Sequence, residues 1–190
     1  MDTKTQLLDA AERAARERGY DGFSYADLAA SVGIKKASIH YHFPTKADLA
    51  MALVTRYRDA NRAFRDQVDS AALVPTEKLS RFVAHYRDAL GEGDMLCLCV
   101  SLALSPDRLS EQVREALNAF HAESIDWLQS VITDATKVGA LAHAGDAREE
   151  ASALLALVEG AQLHGRASGR VGDFDRATTR FIARLRGGAD

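Results

Sequence analysis

From Lys35 to Lys46 the chain reads Lys-Lys-Ala-Ser-Ile-His-Tyr-His-Phe-Pro-Thr-Lys, a run of cations, hydroxyls, imidazoles and a phenol without one acidic residue. Such side chains are hydrogen-bond donors for an acceptor-rich, anionic surface. A lysine can donate to guanine O6 and N7, and a residue as small as Ala37 can approach a thymine methyl. The chemistry on offer is recognition of a polyanion. His40 and His42 do not make a metal pair, because helical side chains two apart point about 200° away from each other.

A second set of residues is scattered over the later helices. Tyr57, Phe64, Phe82, His85, Tyr86, Cys97, Cys99, His121, Trp127 and His164 are polar or aromatic residues on otherwise apolar faces. A small-molecule pocket is built this way, apolar with a few placed polar groups. Cys97 and Cys99 add the possibility of reading an electrophile or oxidant through a thiol. That needs a thiolate favoured by a cation or a helix N-terminus, whereas an apolar interior favours the thiol. The two cysteines are too close in sequence to bridge each other easily, which is consistent with a reducing compartment.

No Gly-rich phosphate loop, nucleophile elbow or metal-spaced cluster occurs, so no catalytic residue, metal site or cofactor is expected and the chain is not read as an enzyme.

The elements that must position these residues are helical. Only 3 of 190 residues are proline, and the long Ala, Leu, Glu and Arg tracts lack β-branched runs. Ser24 with Asp27 caps a short helix whose apolar face is Leu28, Ala29 and Val32, and Gly33 suits its left-handed end. A second short helix follows, with Ile34, Ile39 and Phe43 inward and the donor set outward. Two helices joined by a Gly-containing turn form a helix-turn-helix, whose second helix lies in the major groove of DNA. Ahead of it, Thr3 with Gln6 is read as the capping box of a first helix ending near Gly19, and Tyr20 and Phe23 as its core anchors.

After it, Thr45 with Asp48 caps a fourth helix running through Val68, and Pro75 opens a fifth with Leu79, Phe82, Val83, Tyr86 and Leu90 inward. Asp94 is expected to cap a buried sixth helix over MLCLCVSLAL, which would put both cysteines near its N-terminus. Ser105-Pro106 is expected to open a seventh helix to about Val138. Asp146 with Glu149 starts an eighth, to about Ser168, and Asp173 a ninth, to about Arg186.

The run Gly33-Ile-Lys-Lys-Ala-Ser-Ile-His-Tyr-His-Phe-Pro-Thr-Lys-Ala-Asp-Leu49 resembles the signature of the TetR/AcrR family of transcriptional regulators. The resemblance covers about the first fifty residues. It implies an all-α protein of about nine helices, with a helix-turn-helix domain at 1–48 and a ligand-binding and dimerisation domain at 49–190. It also implies that Tyr25, Lys36, Ser38, His42 and Lys46 contact phosphates, and that Lys36, Ala37, His40 and Tyr41 face base edges. Lys35 departs from the pattern: it stands where the family usually has a Ser cap, and is read as a further phosphate contact. A largely apolar effector among helices four to eight is implied as well.

Homodimerisation has two supports. The family implies a bundle of helices eight and nine, with Ala153, Ala156, Gly160, Ala161, Phe181 and Leu185 packing against their copies. Independently, a protein with one reading helix gains from presenting it twice to a palindromic, double-stranded operator. The net charge of −3 argues against indiscriminate nucleic-acid binding, and through residue 48 acids and bases balance, so DNA affinity must come from where the cations sit. No run reaches the roughly 20 apolar residues of a membrane span and no signal segment opens the chain, so a cytoplasmic regulator is expected. A ligand-responsive repressor is the leading reading. A thiol sensor on the same scaffold, or a dimeric helical adaptor that does not read DNA, are the alternatives.

Overall fold

The computed structural model describes residues 2–141 and 145–186, and all regular structure among them is helical. The helices are α1 (Thr3–Arg18), α2 (Tyr25–Val32), α3 (Lys36–His42), α4 (Lys46–Ser70), α5 (Pro75–Asp88), α6 (Leu98–Ala103), α7 (Glu111–Lys137), α8 (Ala147–Ser168) and α9 (Val171–Arg186). The chain divides into two compact units. One holds the residues up to Ala60 together with Leu98–Phe120, and the other holds Asn61–Cys97 together with the residues from His121 on. The division therefore departs from the 48/49 boundary read from the sequence. Physically, α6 packs on α1, where the buried Ser101 hydroxyl donates to the Ala15 carbonyl at 2.5 Å.

In the first unit, α1 buries Leu7, Ala11, Ala14 and Ala15, and the loop after it buries Tyr20 and Phe23. Asp2, not Thr3, caps α1: its carboxylate accepts the Thr5 N–H at 2.8 Å, which the predicted Thr3–Gln6 box does not do because Thr3 is already helical. Ser24 and Asp27 form the reciprocal box on α2, and Gly33 closes that helix at φ 75°, a left-handed conformation that costs glycine little. Arg56 ties α4 to α1 through Asp9 (2.7 Å) and Glu12 (2.6 Å).

In the second unit, α5, α8 and α9 share a core of Leu79, Phe82, Val83, Leu90, Leu154, Val158, Phe174 and Phe181. Each such side chain contributes roughly 1.5–3 kcal/mol by leaving water. The sequence predicts a sixth helix from Asp94, but α6 begins only at Leu98. The chain leaving α5 first coils back, with the Gly93 and Met95 N–H groups both donating to the Leu90 carbonyl. The Cys97 N–H then goes to the Gln162 side chain at 3.0 Å instead of to a helical carbonyl. Ser105-Pro106 opens only a 3-10 turn, Pro106–Arg108, and the long α7 starts at Glu111 behind Ser110, whose hydroxyl accepts the Val113 N–H. α9 starts at Val171, and Asp173 lies buried in its first turn, paired with Arg170 and Arg176.

Candidate functional site

α3 presents its donors as the sequence pattern requires. Ile39 and Phe43 are buried, Lys35, Lys36, Ala37 and His40 are exposed, and Ser38 and His42 are half-buried. Tyr41 is 84% exposed, the most exposed large hydrophobic side chain among the described residues. Among the described residues its ring makes an edge approach to His42, centroids 5.2 Å apart. Lys35 stands at the N-cap position with extended backbone and no side-chain cap bond, so the first turn of α3 lacks the usual hydroxyl partner. The His40 Nδ1 lies 3.2 Å from the Pro44 carbonyl oxygen, and a carbonyl only accepts. As a hydrogen bond, that contact needs Nδ1 as the donor.

Two residues read as phosphate contacts are turned inward. Tyr25 is buried, its ring edge-on to His40 (4.9 Å), and its hydroxyl lies within hydrogen-bond reach of the carbonyls of Phe43 and Thr45. Burial, reinforced by Asp48 and Tyr20, pushes its pKa up to about 12, so the phenol stays protonated and keeps donating. Lys46 donates to the Phe23 carbonyl at 2.7 Å, and its ammonium lies 4.4 and 4.7 Å from the Phe23 and Tyr20 ring centroids. Burial lowers its pKa, against the pull of Asp21 and Asp27. The carbonyls of Phe23 and Phe43 lie in the loops flanking α2 and α3, and that of Thr45 also accepts the Leu49 N–H that opens α4.

The residues read as pocket lining do not fall in one place. Tyr57, against Phe120 at 5.8 Å, and Cys99 belong to the first unit. In the second unit, Phe64 stacks on His85 (4.0 Å), Phe82 meets Tyr86 (4.9 Å) and Trp127 (5.8 Å), and the Trp127 N–H donates to Asp69 at 2.9 Å. These five make one aromatic cluster between α4, α5 and α7. His121 and Cys97 lie together elsewhere in that unit. The imidazole is 3.2 Å from the Glu159 carboxylate, and that contact raises its pKa, chiefly by a hydrogen bond and then by charge, with burial opposing and Cys97 assisting. His164 is exposed on α8. Cys97 directly precedes α6 and Cys99 lies in its first turn, and both thiols are buried.

Five polar residues that the pattern reading passed over lie in the second unit's interior: Asn61, Arg65, Ser124, Gln162 and Thr178. Their signal is a polar residue on the inner stripe of a helix; Asn61 and Arg65 are one turn apart on the face that also buries Val68. Gln162 has an evident structural task, donating to the Tyr86 carbonyl at 2.5 Å and accepting the Cys97 N–H. A groove of about 700 Å³ runs along α5 and α9, lined by Val83, Arg87, Phe174, Asp175 and Thr178 among others. It contains none of the expected residues, and its charges already form the Arg87–Asp175 pair at 2.6 Å.

On α8, Ala153, Ala156, Gly160, Leu163 and His164 are exposed along one face. A Cβ added at Gly160 would meet nothing within 4 Å, so a second chain could approach closely there. Ala161, Phe181 and Leu185, read as part of the same face, are instead buried inside the unit, which corrects that assignment.

The model of the tetR family of bacterial regulatory proteins matches residues 7–53, and that of the tetracyclin repressor-like C-terminal domain matches residues 75–181. The chain is 25% identical over 173 residues to the HTH-type transcriptional repressor NemR of Escherichia coli K12, covering 88% of this chain and 85% of that one. A TetR-family regulator from Agrobacterium tumefaciens superposes with a TM-score of 0.90 at 32% identity, covering 95% of this chain and 96% of its own. A TetR regulator from Legionella pneumophila gives 0.85 at 27% identity, covering 97% of each.

Proposed function

The chain belongs to the TetR family of bacterial regulatory proteins and is a DNA-binding transcriptional regulator, and from there we propose that it is a repressor that grips a palindromic operator as a dimer and releases it when a small molecule occupies its second unit. The observation that carries the reading is the outward face of α3. An aromatic residue 84% exposed beside Lys36, Ala37 and His40 has no stabilising role in the free chain, and it fits a groove wall.

In this reading Lys36, Ala37, His40 and Tyr41 meet base edges, and Lys35, Lys36, Ser38 and His42 meet phosphates. Tyr25 and Lys46 position α3 and α4 by holding the loops between them, and the first-turn amides of α4 face the backbone. One copy binds weakly because the acids and bases of the N-terminal segment balance, so two copies joined through the exposed face of α8 are needed. α4 supplies residues to both units, Lys46 to Ala60 in one and Asn61 to Ser70 in the other. A ligand held against Phe64, Phe82, His85, Tyr86 and Trp127 that binds one position of α4 better than another shifts the spacing of the two α3 helices. The setting is the cytoplasm, with the DNA.

Selection of duplexes from a randomised pool tests it. The reading expects an inverted repeat with half-sites about one helical turn or a modest extension apart. Recovery of an asymmetric single site, or no enrichment at all, sinks it.

A second reading, thiol sensing at Cys97, is favoured by His121, whose protonated form would stabilise a nearby thiolate. Operator release by an alkylating agent that survives Cys97→Ser and Cys99→Ser alike removes it.

A further inference from the structure

Resting on the reading of α3 as the helix that enters the groove, we propose that His40 reads its base as a hydrogen-bond acceptor, so that each half-site carries adenine or cytosine at the position His40 meets. These are the two bases with an amino group in the major groove.

The carbonyls of Phe43, Pro44 and Thr45 follow one another in the turn from α3 to α4. Two rings cover the three. The Tyr25 hydroxyl lies within reach of the Phe43 and Thr45 oxygens, and His40 Nδ1 lies 3.2 Å from the Pro44 oxygen between them. The rings also meet edge-on at 4.9 Å, so the imidazole is held on two sides while His40 stays exposed. An amide oxygen has no proton to give, so a hydrogen bond to Pro44 has Nδ1–H as its donor. A neutral imidazole carries a single N–H, and the bond made by one ring nitrogen sets the state of the other. Nε2 then offers only a lone pair.

In the major groove guanine presents N7 and O6 and thymine presents O4, all acceptors, whereas adenine N6 and cytosine N4 donate. A lone pair set against an acceptor leaves both groups unpaired in a desolvated interface, which is penalised more heavily than a missing contact. His40 therefore favours the amino bases. Lys36, one turn earlier on the same exposed face, is the reverse case: an ammonium has three donors and no acceptor, and suits guanine. α3 thus carries a donor and an acceptor one turn apart, and a half-site with guanine near an adenine or cytosine satisfies both. An imidazolium would instead donate from Nε2 and choose guanine or thymine.

Duplexes are selected from a randomised pool by the wild-type protein and by His40→Ala at about pH 8.5, above the range in which unperturbed imidazoles change charge. One position of each half-site is expected to be adenine or cytosine with the wild type and to lose that preference with His40→Ala. Each adenine and cytosine of the selected half-site is then replaced in turn by a base without the major-groove amino group, 2-aminopurine or 2-pyrimidinone. At the His40 position the wild type is expected to lose about fivefold in affinity, and His40→Ala less than about twofold. His40→Lys, which can only donate, takes the place of His40→Ala if that variant does not fold by circular dichroism, and should lose the same response. Guanine or thymine at the His40-dependent position, an inverted repeat identical for wild type and variant, no wild-type loss with any replacement, or a loss shared equally by the variant would each overturn the proposal while leaving the repressor reading intact. A pool that yields no inverted repeat sinks that reading and the proposal with it.

Discussion

The Tyr25 hydroxyl lies 2.6 Å from the Thr45 carbonyl oxygen and 2.9 Å from that of Phe43, so the first residue of α2 closes over the loop joining α3 to α4. A phenol has one proton, so it serves one of the two carbonyls at a time and sits between them. The reading helix is thereby tied to the helix that follows it by a residue outside both.

Tyr25→Phe removes this tie and little else. It should lower stability by about 1–1.5 kcal/mol, the net value of a buried hydrogen bond. Operator affinity should fall with it, on all sequences alike. Urea unfolding paired with binding isotherms on two operator variants checks both. A change of sequence preference would mean that Tyr25 reads bases after all.

Tyr41 and Lys46 should behave as opposites. Tyr41→Ala touches an exposed ring and should leave stability within about 0.5 kcal/mol, while flattening the preference between the operator and its base-pair variants. Lys46→Met breaks the bond to the Phe23 carbonyl, and is expected to cost about 1–2 kcal/mol of stability and to weaken binding uniformly. Melting curves and competition titrations of both variants distinguish the roles.

On α8, Ala156→Glu places a charge on the exposed small-residue face without touching the interior of the unit. Sedimentation should show a folded monomer, and operator affinity should drop to that of a single α3. A dimer of undiminished affinity would move the interface elsewhere.

His121 carries a pH dependence of known sign. Its contact with Glu159 raises its pKa in the folded state above the ordinary value of 6.5. A raised base binds protons more tightly when folded, so the stabilisation is fully present below pH 6.5 and is lost as the pH rises through the raised folded value. The stability difference between the wild type and His121→Gln should therefore be larger in mild acid than in mild alkali, as read by denaturant midpoints. A difference that is flat in pH, or that grows on the alkaline side, would contradict it.

What could be read from the residues alone divides by distance along the chain. The Ser24–Asp27 and Asp146–Glu149 boxes, Gly33 and Pro75 act on neighbours within a few positions, and each appears where the pattern put it. The exposure of α3 was legible for the same reason, since helical periodicity alone separates Ile39 from Tyr41. The intramolecular partners of Tyr25 and Lys46 are not legible in the sequence because they lie 18 to 23 residues away, and nothing local distinguishes a lysine reaching back to a carbonyl from one reaching out to a phosphate. The late start of α6 has the same origin, in Gln162, 65 residues beyond Cys97. Phe181 and Leu185 were assigned to a partner chain when their own unit needed them, because an apolar stripe does not say which surface will cover it.

The claim that α3 reads DNA as one of a symmetric pair is tested most directly by a salt titration of the wild-type protein. A selected inverted-repeat duplex and a scrambled duplex of equal length would be compared by fluorescence anisotropy. Affinity for the repeat should fall steeply with salt on a log–log plot and exceed that for the scrambled duplex by about a thousandfold or more. Equal affinity for the two duplexes, or an affinity that does not respond to salt, would contradict the account.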